Sequence, residues 1–271
     1  MVVSSFKNTL LPLFRKQGKD LSMKEYIENT IEQIIANSTG NISYCSPLVT
    51  YARAVDPLFA ELKKVVGPGH LLPQDLLPEA ASVVAFFIPF PKEMVVTNRK
   101  SPYVSREWAE AYIETNRLIS LCCEKLAAGL AAEGVKAAWQ QPTHNFDPEQ
   151  LISFWSHKHV AYICGAGSFG LHQMLITPHG CAGRLGSLVL DLPVSPSPRP
   201  DSPHCLYLRE GKCLACVKSC PSGALTTQGL DKQKCYRYLL AVDAYYTDLG
   251  TCDACGKCAT GGPCAVLEPR N

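Results

Sequence analysis

The sequence predicts a mixed α/β (α+β) domain followed by a smaller cysteine-rich module. Three observations carry this. Ser82 to Phe90 is a continuous apolar run of strand length, Ser105 to Glu133 is a long helical pattern, and nine of the 14 cysteines crowd between Cys205 and Cys264. At 271 residues and 46% hydrophobic, the chain can bury one sizeable core and carry a small module beside it. The net charge is +2 with no Lys/Arg block, so nothing in the composition announces a nucleic-acid footprint or a membrane-surface helix.

Taken in order, Asp56-Pro57 opens an apolar-periodic stretch to Val66 that stops at Gly67. An N-cap, a proline at the first helical position and a glycine stop define a short helix. The run 82–90, rich in aromatic and β-branched residues, reads as a strand buried in the middle of a sheet. Gly134 stops the long helix, Val135 to Trp139 supplies the next strand, and a second Asp147-Pro148 pair starts another helix. Gly186 to Leu192 is a further strand. Residues 1–192 are then one α/β domain, its modest sheet flanked by helices. Five prolines interleaved with serines make 193–203 an extended, exposed linker, and 204–271 is the cysteine module.

Met1 to Phe14 lacks a basic region followed by an apolar stretch and a cleavage site, and no run of about 18 apolar residues occurs. The chain is expected to be soluble, cytoplasmic and unexported, with no membrane partner. Disulfides are rare in reducing cytosol, so metal or cluster ligation is the leading use for so many cysteines.

Cys213-x2-Cys216-x3-Cys220-Pro221 is the bacterial ferredoxin run with its first cysteine displaced, and Cys205 is the natural replacement. In such runs the cysteine before the proline serves the other cluster, so a partner set is required. Cys235, Cys252, Cys255, Cys258 and Cys264 offer five candidates for four positions. The assignment taken is Cys205, Cys213, Cys216 and Cys264 for one [4Fe–4S] cluster and Cys220, Cys235, Cys255 and Cys258 for the other, with Cys252 in place of Cys235 as the alternative. A four-cysteine zinc site would strand the neighbouring cysteines and leave the Cys220-Pro221 exit unexplained. Cys122, Cys123 and Cys164 read as small buried hydrophobes, whereas Cys181, between glycines in a loop, is the upstream cysteine to watch.

Gly165, Gly167 and Gly170 fit G-x-G-x-x-G after a possible strand at Val160 to Cys164, with Asp191 about twenty residues on. Pro178 and Gly180 cut the following helix too short for a dinucleotide crossover, and Asp147-Pro148 favours helix upstream. The glycines are better read as allowing close backbone approach or a tight turn.

The stretch from Ser153 through His159 to Gly170, then Met174 to Thr177, Gly183 to Gly186 and the cysteine module, resembles the corrinoid iron–sulfur reductases that include epoxyqueuosine reductase and the reductive dehalogenases. The isolated Cys235 before Tyr236-Arg237-Tyr238-Leu239 resembles the family's lone cysteine and favours Cys235 over Cys252. The resemblance implies a nitroreductase-like N-terminal domain that cradles cobalamin and a bacterial ferredoxin-like domain with two [4Fe–4S] clusters. It also implies an external low-potential electron donor. His159, Gly165, Gly167, Phe169, Gly170, Met174, Thr177 and Arg184 are the candidates for the corrinoid pocket. The family's tRNA-modifying members have an aspartate proton donor before the glycine loop, and near Leu151 and Ile152 there is none, leaving Asp147 and His157 as stand-ins. Those members also carry a helical-repeat extension for tRNA, whereas this sequence ends just after Cys264 in the manner of a short form, so tRNA is a doubtful substrate.

The resemblance thus implies an epoxyqueuosine reductase-like oxidoreductase acting on a small molecule or modified nucleoside, with the clusters feeding electrons to cobalt. An electron-transfer or corrinoid-activating protein serving a partner enzyme is the alternative.

Overall fold

The computed structural model describes residues 22–267. The segment Met1–Phe14, on which the expectation of no export signal rests, lies outside the described residues.

Helix α1 (Met23–Ala36) begins at Ser22, whose hydroxyl accepts from the Glu25 amide while Glu25 reaches back, a reciprocal cap. Strand β1 (Leu48–Arg53) follows, then α2 (Pro57–Val65), capped by Asp56 accepting from the Leu58 amide at 3.1 Å, as expected. A single turn α3 (Pro73–Leu76) leads to β2 (Ser82–Pro89), every residue of which is buried. Two helices come next, α4 (Lys92–Lys100) and the long α5 (Arg106–Ala132), capped by Ser105 and ended before Gly134 at φ +78°. After β3 (Ala137–Trp139), a hairpin of β4 (Phe146–Asp147) and β5 (Ile152–Ser153) precedes α6 (His157–Ile163). A second hairpin, β6 (Ser168–Phe169) with β7 (Leu175–Ile176), leads to β8 (Gly183–Leu190). The C-terminal part holds α7 (Leu206–Glu210), α8 (Ala215–Lys218), the hairpin β9 (Leu225–Thr226) with β10 (Gly229–Leu230), α9 (Lys232–Tyr245) and α10 (Lys257–Gly261).

The main sheet has the order β1-β2-β8-β3 with every pairing antiparallel. Strand β2 is central for a physical reason. Val84, Phe86 and Ile88 pack under α1 and α5, while Val83 and Ala85 pack under α2 and α6, so both faces are covered and the apolar run is unbroken. Among the described residues, no helix is long and apolar enough to cross a membrane.

Residues 193–200 carry no helix or strand and are strapped along the edge strand β1. The Ser197 amide donates to the Tyr51 carbonyl, the Tyr51 amide to Ser197 Oγ, and Arg199 pairs with Asp56. The cysteine-bearing part is bonded into the rest of the protein as well. The Cys181 amide donates to the Cys264 carbonyl and the Ala182 amide to the Ala265 carbonyl, while Lys257 Nζ donates to the Asn98 and Ser101 carbonyls.

Two local expectations are corrected. Asp147-Pro148 starts no helix: Asp147 Oδ1 accepts from the Glu149 and Gln150 amides and closes the β4–β5 turn. Val160 to Cys164 is the end of α6 and not a strand. The glycines therefore follow a helix and enter a hairpin, the reverse of a dinucleotide fold.

Candidate functional site

Cys205, Cys213, Cys216 and Cys264 all line one cavity of about 500 Å³. Cys205 caps α7, Gly211 and Cys213 turn the chain with positive φ, Cys216 sits on α8, and Cys264 lies in the turn after α10. Cys220, Cys235, Cys255 and Cys258 line a second cavity of about 260 Å³. They come from the end of α8, the first turn of α9 and the start of α10. Gly256 stands between Cys255 and α10 at φ +68°, and a Cβ there would come within 2.1 Å of the Trp108 ring. Cys252 is buried against Ala109, Tyr112 and Ala254 and lines neither cavity.

The chemistry of these donor sets suits metal. Burial first, then the neighbouring thiols, pushes Cys258 up to about 12, and burial likewise takes Cys255 up to about 11. Crowded thiols of this kind are poor anions alone, and a bound cation reverses that preference. The Leu225 amide already donates to Cys220 Sγ at 3.4 Å.

His172 and Cys181 stand between the two cavities. His172 lines both, and its Nε2 lies 3.4 Å from Cys181 Sγ and 3.5 Å from Cys264 Sγ. The donor atoms of the three residues lie within 4.8 Å of one another. The neighbouring Cys181 thiol, then His172, holds the Cys264 thiol below its ordinary range, and the same closeness to Cys264 raises Cys181.

A third cavity, about 700 Å³, adjoins the second, and Cys235, Lys158, Met174 and Arg184 line both. Of the residues expected to hold a cofactor, it gathers His159, Phe169, Gly170, Met174 and Arg184. His159 takes a hydrogen bond with Ser156 Oγ through Nδ1 at 2.7 Å and leans on Phe169, and burial holds it neutral, down to about 3. Arg184 is no surface ion pair: its guanidinium lies 4.4 Å over the Tyr112 ring and donates to Asn116 Oδ1, and Tyr112 in turn donates to Asp253.

Three candidates are not at this cavity. A Cβ on Gly165 would meet the Pro198 carbonyl oxygen at 2.4 Å, and one on Gly167 the Ile176 carbonyl oxygen at 2.1 Å, so both glycines serve backbone packing. Thr177 is fully buried, donates to the Gly180 carbonyl and lines the first cavity. Of the two stand-in proton donors, His157 lines the third cavity and Asp147 does not. Asp147 is spent on its turn and is absent from the lining, and His157 has both ring nitrogens engaged, with Ser187 Oγ at 2.8 Å and the Gln141 carbonyl at 3.0 Å. Sequence reasoning missed Lys158, a half-buried amine held by the Gln173 carbonyl at 3.2 Å. A lysine between two histidines at the start of a helix gives no signal until the helix is docked.

The site so built is a pair of cysteine-lined cavities joined to a larger chamber of mixed polarity. No family model matches the chain. Epoxyqueuosine reductase of Bacillus subtilis is 27% identical over 205 residues, covering 69% of this chain and 48% of that protein. The chain thus spans about half the length of the curated relatives it matches. A crystal structure of epoxyqueuosine reductase with a tRNA-Tyr epoxyqueuosine-modified stem loop superposes with a TM-score of 0.58 at 20% identity, over 89% of this chain and 64% of that one. A reductive dehalogenase whose structure bears on B12-dependent dehalogenation gives 0.54 at 17% identity, over 78% and 28%. The chain is a relative of the epoxyqueuosine reductases in sequence, and its mixed α/β fold is theirs and that of the reductive dehalogenases. Since one of these neighbours is bound to a tRNA stem loop, the comparisons lend no support to the expectation that tRNA is doubtful.

Proposed function

We propose that the chain is a cytoplasmic iron–sulfur oxidoreductase of the epoxyqueuosine reductase kind. In this reading a nitroreductase-like domain (1–192) is joined by 193–203 to a bacterial ferredoxin-like domain (204–271). Two [4Fe–4S] clusters, on Cys205, Cys213, Cys216 and Cys264 and on Cys220, Cys235, Cys255 and Cys258, carry electrons from an external donor to a cobalamin in the largest cavity. The substrate is a small molecule or a modified nucleoside, free or within tRNA. One observation carries the reading: four cysteines line the first cavity, Cys220, Cys235, Cys255 and Cys258 line the adjoining second together with Cys181, and Cys235 stands on the wall shared with the third.

The lining suits a large, flat, partly apolar cofactor. Its volume lies in the range of ligand sites, and Phe169, Met174 and Leu185 offer apolar surface. A reduced corrinoid, when bound, supplies a strongly reducing and nucleophilic metal centre. His159, Phe169, Gly170, Met174 and Arg184 would hold it. Arg184 brings a fixed positive charge, and the neutral His159 brings a polar atom without one. Lys158 is the proton source within reach of the chamber, because its side chain lines both the second cavity and the third.

The test is anaerobic reconstitution of the full chain, iron and sulfide analysis, and the electron paramagnetic resonance spectrum of cob(II)alamin with and without protein. About eight irons per chain with loss of the lower-ligand nitrogen splitting is the expected result. Eight irons with an unchanged cobalt signal would leave a two-cluster electron carrier and refute the corrinoid site.

A further inference from the structure

We infer that His172 is a positioning residue for the first cluster: its Nε2–H donates to the Cys264 sulfur and raises that cluster's reduction potential. The inference rests on the two-cluster reading.

The ring is set by its surroundings. Gly170 to Met174 form a tight turn between β6 and β7, with the Gln173 amide donating to the Gly170 carbonyl and Gln173 itself at φ +59°. The turn folds His172 inward to 4% exposure, and Gly170 makes the room, since a Cβ there would sit 2.7 Å from His172 Cε1. The third glycine of the loop thus serves a histidine as well as a cavity.

The tautomer follows from the hydrogen bonds. The Met174 amide donates to Nδ1 at 3.1 Å, so Nδ1 is the unprotonated nitrogen and the ring proton is on Nε2. Two sulfurs face that proton at nearly equal distance, Cys181 at 3.4 Å and Cys264 at 3.5 Å. Charge decides between them. Cys264 as a cluster ligand is a thiolate and the stronger acceptor, while Cys181 Sγ has an acceptor of its own, the Ala259 carbonyl at 3.4 Å. A donor aimed at a ligand sulfur stabilises the reduced, more negative cluster, and hydrogen bonds to sulfur are among the terms that set such potentials. Cys181, from the loop before β8, packs beside the same ligand as part of the wall.

The experiment is a mediated redox titration of the reconstituted full chain, followed by electron paramagnetic resonance, on wild type, His172→Ala and Cys181→Ala. In His172→Ala one of the two titration waves moves to lower potential by about tenfold in the reduction equilibrium, or about 59 mV for one electron, and the other wave stays. Cys181→Ala keeps the full iron content. Wild-type protein labelled with nitrogen-15 histidine gives a reading that needs no variant: pulsed resonance on the reduced clusters detects one weak imidazole coupling.

Unmoved potentials together with no nitrogen coupling would overturn the role of His172 while leaving both clusters standing. Loss of a cluster in Cys181→Ala, with retention in Cys264→Ala, would overturn it by exchanging ligand and wall. Wild-type protein that takes up no iron refutes the cluster reading itself, an outcome separable from either.

Discussion

Replacing Cys235 and Cys252 singly by alanine separates a ligand from a packing residue, because the structure gives the two sulfurs different surroundings. Cys235 is in the first turn of α9, which begins at the Asp231 cap, and its sulfur faces the second and third cavities. Alanine is a better helix former than cysteine there, so Cys235→Ala costs the apoprotein nothing measurable in stability. It removes one of four donors, and the iron content falls from about eight to about four per chain. Cys252 is fully buried, its amide donates to Asp243 Oδ1 at 2.7 Å, and its sulfur packs on Ala109 and Tyr112. Cys252→Ala keeps the amide bond and deletes one buried atom, a loss of about 1 to 2 kcal/mol in transfer and cavity terms. Iron and sulfide analysis, with spin quantitation of the reduced protein and urea unfolding of the apoprotein, reads both quantities. Four irons lost from Cys252→Ala and none from Cys235→Ala would refute the assignment and exchange the two residues.

Three further outcomes are expected. His157 is buried, and desolvation takes its pKa from 6.5 to about 4, so the unfolded chain binds the extra proton and stability falls as pH drops through that window. Wild type should lose about 2 kcal/mol more than His157→Gln between pH 7.5 and pH 5, measured by urea unfolding of the apoprotein, and equal losses would show that the imidazole is not held neutral by burial. Gly256→Ala forces a Cβ to 2.1 Å from Trp108 at φ +68°, so it should cost more than about 2 kcal/mol and reduce the iron content by half, seen in the same iron assay. Gly165→Ala should leave the iron content intact, yet it drives the Pro198 carbonyl off the loop and speeds limited proteolysis within 193–203, and a loss of cobalamin binding without faster cleavage would return that glycine to the cofactor site.

Some of this was legible in the sequence because a single local cause fixed each feature. Asp56-Pro57 gives a helix since Phe59 and Leu62 supply an apolar stripe that the sheet covers. The same dipeptide at Asp147-Pro148 is followed by Glu149 and Gln150, which have no apolar face to bury, and the aspartate closes a turn instead, with Leu151 at φ +54°. The strand 82–90 was readable because two-sided burial leaves an unbroken apolar run. Spacing suggested which cysteines fall together and the resemblance chose Cys235 over Cys252; the structure places the two sets at two cavities. The roles of Gly165 and Gly167 were not, since each answers to a carbonyl from a separate segment, Pro198 in one case and Ile176 in the other. His172 and Lys158 gave no signal for a like reason. Each acquires its meaning from a sulfur or a cavity that the fold brings up from at least nine residues away, and for Cys264 from far along the chain.

The three cavities form a series. His172 lines the first and second, while Cys235, Lys158 and Arg184 line the second and third. Cys213, on the first, is exposed, whereas Cys220, Cys235, Cys255 and Cys258 on the second are at least half-buried, so the first set is reached from solvent more readily than the second. In the proposed two-cluster reading the direction of flow is set by the relative potentials, and hydrogen bonds to sulfur are one of the terms that set them. The first set has the His172 imidazole on Cys264; the second has the Leu225 amide on Cys220 and the Lys158 ammonium beside Cys258 and Cys235. A side chain can be exchanged where a backbone amide cannot, which makes His172 the position at which the balance between the two proposed clusters is open to substitution without rebuilding the fold.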